Sequence, residues 1–60
     1  MNSKQVIKQL QNSGWIVVRV TKHCIMKKYT TIVPIPMHGN KDIPIGTLKS
    51  IERISGVKLL

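Results

Sequence analysis

Trp15-Ile16-Val17-Val18-Arg19-Val20-Thr21-Lys22-His23-Cys24-Ile25-Met26-Lys27-Lys28-Tyr29-Thr30-Thr31-Ile32-Val33-Pro34-Ile35-Pro36 is dominated by β-branched and apolar residues, and the places where it breaks decide the fold. Trp15 to Val20 is aromatic and β-branched, too short for a helix, and bounded by Gly14 and Thr21, which predicts a first strand. His23 to Lys28 reads as a second strand and Thr30 to Ile35 as a third, with Tyr29 near the turn between them. Pro34 and Pro36 lack the amide proton a central ladder needs, so the third strand should frame an edge or leave the sheet there. Strict alternation assigns Ile16, Val18, Val20, Cys24 and Met26 to one face, and Val17, Arg19, His23, Ile25 and Lys27 to the other. A slip of one residue exchanges the two sets, and the second strand, apolar on both faces, constrains the register weakly.

Outward from the strands, both flanks read as helices. Ser3 is a candidate N-cap for a helix running to about Ser13, with Val6, Ile7 and Leu10 on one stripe and Gly14 as the stop. On the other side, Met37-His38-Gly39-Asn40-Lys41-Asp42-Ile43-Pro44 turns the chain, and Asp42 and Pro44 start a second helix. Its apolar residues Ile45, Leu48, Ile51 and Ile54 recur every three positions, a spacing that drifts ~60° per step and predicts cover on more than one side. Gly56 ends the helix, and Val57 to Leu60 form a partly apolar tail with no assignment. The order helix-strand-strand-strand-helix with short connections predicts an α+β fold, a three-stranded antiparallel sheet with both helices on one face and the other face open.

Sixty residues make a single domain, here 1–60, that buries only ~60% of the surface its unfolded chain exposes. There is no room for a deep cavity, which favours a polymer or protein partner over a small metabolite. Ten Lys and Arg against two acids, Asp42 and Glu52, give a formal charge of +8 and point to a polyanion. No apolar run approaches the ~18 residues a spanning helix needs and no signal pattern opens the chain, so a cytoplasmic protein that does not enter a membrane is expected. One cysteine and two distant histidines give no zinc-ligand spacing, and Cys24 reads as a core residue. With two carboxylates in all, neither a paired-carboxylate hydrolase nor a magnesium site is expected, and no cofactor is called for.

The chemistry falls to His23, flanked by Lys22 and followed by Lys27 and Lys28. An imidazole that can take the ribose 2′-hydroxyl proton, among cations that can hold phosphate, suits metal-free RNA cleavage. The plainer reading is a surface histidine in a basic strand. His38, followed by Gly39-Asn40, reads more simply as a loop residue bonded to backbone. Trp15 and Tyr29 are too few for a base-stacking platform, and Trp15 reads as core.

Asn2-Ser3-Lys4-Gln5-Val6-Ile7 through Gly14-Trp15, then Val18-Arg19-Val20, Val33-Pro34 to Pro36, and above all His38-Gly39-Asn40-Lys41-Asp42-Ile43-Pro44-Ile45-Gly46-Thr47-Leu48-Lys49-Ser50-Ile51 resemble the HicA toxin family. The resemblance covers about residues 2 to 56. It implies a double-stranded-RNA-binding-domain-like fold and a toxin–antitoxin mRNA interferase, an endoribonuclease that arrests translation. It further implies one catalytic histidine on the second strand and inhibition by a HicB-type antitoxin that covers the site.

The family presents its histidine in Gly-Ser-His, whereas this chain has Val20-Thr21-Lys22-His23-Cys24-Ile25-Met26-Lys27, which aligns in two ways. With one residue deleted before it, His23 takes the catalytic position; without the gap Cys24 falls there and the histidine is lost. The first preserves the apolar alternation that follows and is preferred, with His23 catalytic and Lys22, Lys27 and Lys28 on RNA. Losing Gly-Ser removes a flexible turn and a hydroxyl that Thr21 or Lys22 replaces only in part. Two alternatives stand beside this reading: a non-catalytic double-stranded-RNA-binding module, against which the single lysine near the start of the last helix argues, and a degenerate toxin that keeps only its antitoxin.

Overall fold

The computed structural model describes residues 1–60 and has the element order α1 (Ser3–Asn12), β1 (Ile16–Val20), β2 (His23–Lys28), β3 (Thr31–Pro36) and α2 (Ile45–Ser55). The strands form one antiparallel sheet in the order β1-β2-β3, so β2 is central and the proline-bearing β3 lies at an edge. The α+β class and the element order are those expected from the sequence, and they are consistent with a double-stranded-RNA-binding-domain-like fold.

Helix α1 starts one residue earlier in its capping than Ser3 suggested. Asn2 is the N-cap: its side chain accepts from the Gln5 N–H at 3.0 Å while the Gln5 side chain accepts from the Asn2 N–H at 2.8 Å, a reciprocal capping box. Ser3 is instead buried, and its hydroxyl donates to the Pro36 carbonyl at 2.6 Å. At the other end the Trp15 N–H donates to the Leu10 carbonyl and the Gly14 N–H to the Gln11 carbonyl, the paired bonds of a Schellman motif, with Gly14 at φ +94°. Leu10 and Trp15 bracket that turn and are both buried, so the motif also delivers Trp15 into the core.

The core is a single cluster of ten buried residues: Val6 and Leu10 from α1, Trp15, the β2 pair Cys24 and Met26, the β3 pair Val33 and Ile35, Ile43, and Leu48 and Ile51 from α2. Both helices pack on β3, which leaves β1 uncovered, and every residue of β1 is exposed. The alternation assumed for β1 fails for a second reason. Val17 pairs with Met26 and Arg19 with Ile25, so Val18 is the extra residue of a β-bulge. Val17 therefore joins Met26 on the helix side, while Ile16, paired with Lys27, moves to the open face.

Helix α2 buries only the middle of its apolar series. Leu48 and Ile51 are 2% exposed, but Ile45 and Ile54 are 64% and 43% exposed, since the three-residue spacing carries the ends round to opposite flanks. Cover on more than one side is not supplied within the chain. Pro44 is the N-cap without a side-chain hydrogen bond, and Gly56 ends the helix at φ +71°. Asp42 does not cap α2; its carboxylate lies 3.5 Å from the Met1 ammonium, and Asn2 bridges to Asp42. No helix is long and apolar enough to cross a membrane.

Candidate active site

Alternation along β2 sorts its residues without the ambiguity of β1. Cys24 and Met26 pair with Ile35 and Val33 and are buried, so His23, Ile25 and Lys27 face away from the core. Cys24 is 1% exposed, and burial raises its thiol above the ordinary range, which keeps it a protonated core side chain rather than a nucleophile. His23 is exposed and opens β2.

His23 lines a groove of about 340 Å³ that runs between the β3 edge and α2. Pro34 and Pro36 form its strand wall and Thr47, Ser50 and Ile54 its helix wall. His38, which the sequence left in a loop, lines the same groove. The register explains the meeting: His23 pairs with Pro36, two residues before His38. The Met37 N–H also donates to the Lys22 carbonyl at 3.3 Å, tying the loop to the turn that carries His23.

Ser3 completes the anchorage from below, donating to the Pro36 carbonyl and accepting from the His38 N–H at 3.4 Å. The β2–β3 register and these long-range hydrogen bonds, which together bring the two histidines to one groove, leave no signal in the sequence.

The predicted cations divide between two places. Lys22 adjoins His23 in the β1–β2 turn. Lys27 and Lys28 lie at the opposite end of β2, ~13 and ~17 Å along the strand from His23, where they line a second depression with Ser13, Gly14, Ile16 and Tyr29. The Lys28 ammonium donates to the Ser13 carbonyl at 2.6 Å, closing the end of α1, and retains two further donors. The open sheet face between these places is built from cross-strand rows of apolar and basic residues: Ile16, Lys27 and Ile32 in one, Arg19, Ile25 and Pro34 in the next.

No curated protein matches the chain. The family model described as HicA toxin of bacterial toxin–antitoxin matches residues 3–57, from the first residue of α1 past the end of α2. A match over nearly the whole chain, on an element order and sheet that agree with the resemblance, makes this chain a member of the HicA toxin family of bacterial toxin–antitoxin systems.

Proposed function

We propose that the chain is an mRNA-cleaving endoribonuclease toxin that works without metal, uses His23 for proton transfer, and is neutralised by a HicB-type antitoxin. The observation that carries this reading is the opposite fate of two neighbours on β2: Cys24 enters the core while His23 stands exposed in a groove. Of the two ways to align the histidine region with the family, only the one that uses His23 puts a reactive group where a polymer can reach it.

In this reading an RNA strand lies along the groove and over the end of the sheet. The neutral His23 imidazole takes the ribose 2′-hydroxyl proton as the oxygen attacks the adjacent phosphorus. Lys22 stabilises charge on the phosphoryl oxygens of that group, and Lys27 and Lys28, farther along β2, hold a flanking part of the backbone. The open face, apolar in Ile16, Ile25 and Ile32 and basic in Arg19 and Lys27, suits an acidic, partly apolar antitoxin surface that would lie across the RNA path.

The test is growth. Induced in a bacterium lacking the antitoxin, the wild type is expected to arrest growth and His23→Ala is not. Equal arrest by both removes His23 from the chemistry, and growth unaffected by the wild type assigns the chain to the degenerate toxins.

A further inference from the structure

The groove holds two imidazoles, and the chemistry of RNA cleavage has work for both. Transesterification moves two protons: one leaves the 2′-hydroxyl, and one must reach the 5′-oxygen as it departs. His23 and Pro36 face each other across the β2–β3 ladder, about 5 Å apart at Cα. His38 lies two residues beyond Pro36, at most about 7 Å of chain. The two side chains therefore line one groove of about 340 Å³ from adjoining positions.

The placement of His38 is held from three directions. The Ser3 hydroxyl accepts from its N–H, the Lys41 N–H donates to its carbonyl at 3.2 Å, and the Met37 N–H beside it donates to the Lys22 carbonyl. Five residues beyond His38 in the same loop, the Ile43 N–H donates to the Met1 carbonyl at 2.7 Å after the bridge between Asn2 and Asp42. A loop that served only to connect β3 to α2 has no need of such anchorage next to the turn that bears His23. Its backbone is fixed while the His38 side chain remains exposed in the groove.

We infer that His38 is a second catalytic residue, the general acid that protonates the 5′-oxygen while His23 acts as the base. The inference rests on the ribonuclease reading above and deepens it. The 2′-oxygen to phosphorus bond forms as the phosphorus to 5′-oxygen bond breaks; the 2′-hydroxyl proton passes to neutral His23, and a proton passes from His38 imidazolium to the leaving oxygen. The products are a 2′,3′-cyclic phosphate and a 5′-hydroxyl, and solvent returns the two imidazoles to their starting forms. The step needs no metal or oxidant, and water enters only to reset the two imidazoles.

A substrate whose leaving group needs no proton isolates this role. RNA carrying a single 5′-bridging sulfur expels a thiolate, so loss of the acid costs little on it while loss of the base costs as much as before. His38→Gln is expected to cut ordinary RNA ~10²–10⁴-fold more slowly than the wild type, and to recover to within about tenfold of the wild type on the sulfur-bridged strand. His23→Gln is expected to be impaired equally on both.

Thermal unfolding of the variants, which should match the wild type because His38 makes its hydrogen bonds through backbone, checks the fold. His38→Gln within threefold of the wild type on ordinary RNA, or impaired equally on both substrates, overturns the assignment, as does sulfur rescue of His23→Gln instead. Those three outcomes leave the ribonuclease reading intact, whereas a wild type that cuts neither strand removes both.

Discussion

At the scale of single residues, the two acids serve the chain's own structure. Asp42 meets the terminal ammonium, and the Glu52 carboxylate accepts from the Leu59 and Leu60 N–H groups at 2.6 and 2.8 Å. The backbone donors of Leu60 and then Leu59, with attraction from Lys58 and Lys49, hold the Glu52 carboxyl below its ordinary range. A group whose folded pKa is lowered stabilises the fold above its unfolded pKa, and that contribution disappears as pH falls through the folded value. The Leu59 and Leu60 amides should therefore be protected from exchange at neutral pH and lose protection in acid, below the usual carboxylate range. In Glu52→Gln the acid-dependent part should be absent; an unchanged pH dependence in that variant would contradict the clamp.

This contact between helix and tail was not visible in sequence, because seven residues separate Glu52 from Leu59 and no periodicity links them. The Asn2 cap was legible. Asn2 with Gln5 three positions later is a capping-box signature, and the neighbouring Ser3 is an equally good cap by residue type alone.

At the scale of elements, boundaries were largely legible and faces were not. Turn residues mark the ends: Gly14, Tyr29 at φ +55° and Gly56 each stand where an element stops. Gly14 carries the most. Its φ of +94° is unfavourable for a side chain, and a Cβ there would lie 3.4 Å from the Lys28 Cε. Gly14→Ala should lower stability by about 1–2 kcal/mol, read as a fall in the denaturant midpoint at unchanged slope. A midpoint equal to the wild type would show that the Schellman turn is not constrained as described.

The face assignment held on β2, where Cys24 and Met26 meet buried partners, and failed on β1 at the Val18 bulge. An inserted residue leaves no trace within Ile16-Val17-Val18, because all three positions are apolar and β-branched. The exposure of β1 was likewise hidden: its composition is that of a buried strand, and only the docking of both helices on β3 uncovers it.

At the scale of the whole molecule, sixty residues support one core, and the functional surface is what that core leaves outside. The residues behind the +8 charge come from both helices, the strands and the loops. Such a charge gives general attraction for a polyanion, while in the proposed function the position-specific chemistry falls to the groove between β3 and α2. The exposure of His23 on β2 was legible from alternation with Cys24 and Met26, and its proposed role rests on its residue type, its lysine neighbour and the family resemblance. The groove was not, because it arises where Pro36, the His38 loop and α2 come together across long stretches of chain.

The central claim is that this groove cuts RNA through His23 without metal. Its most direct test is to incubate purified wild type and His23→Gln with a defined RNA in excess EDTA and analyse the new ends. The account predicts wild-type products ending in 2′,3′-cyclic phosphate and 5′-hydroxyl, formed ~10²–10⁴-fold more slowly by His23→Gln. Cleavage by both proteins at equal rates, or RNA left whole by the wild type until a divalent metal is restored, would contradict it.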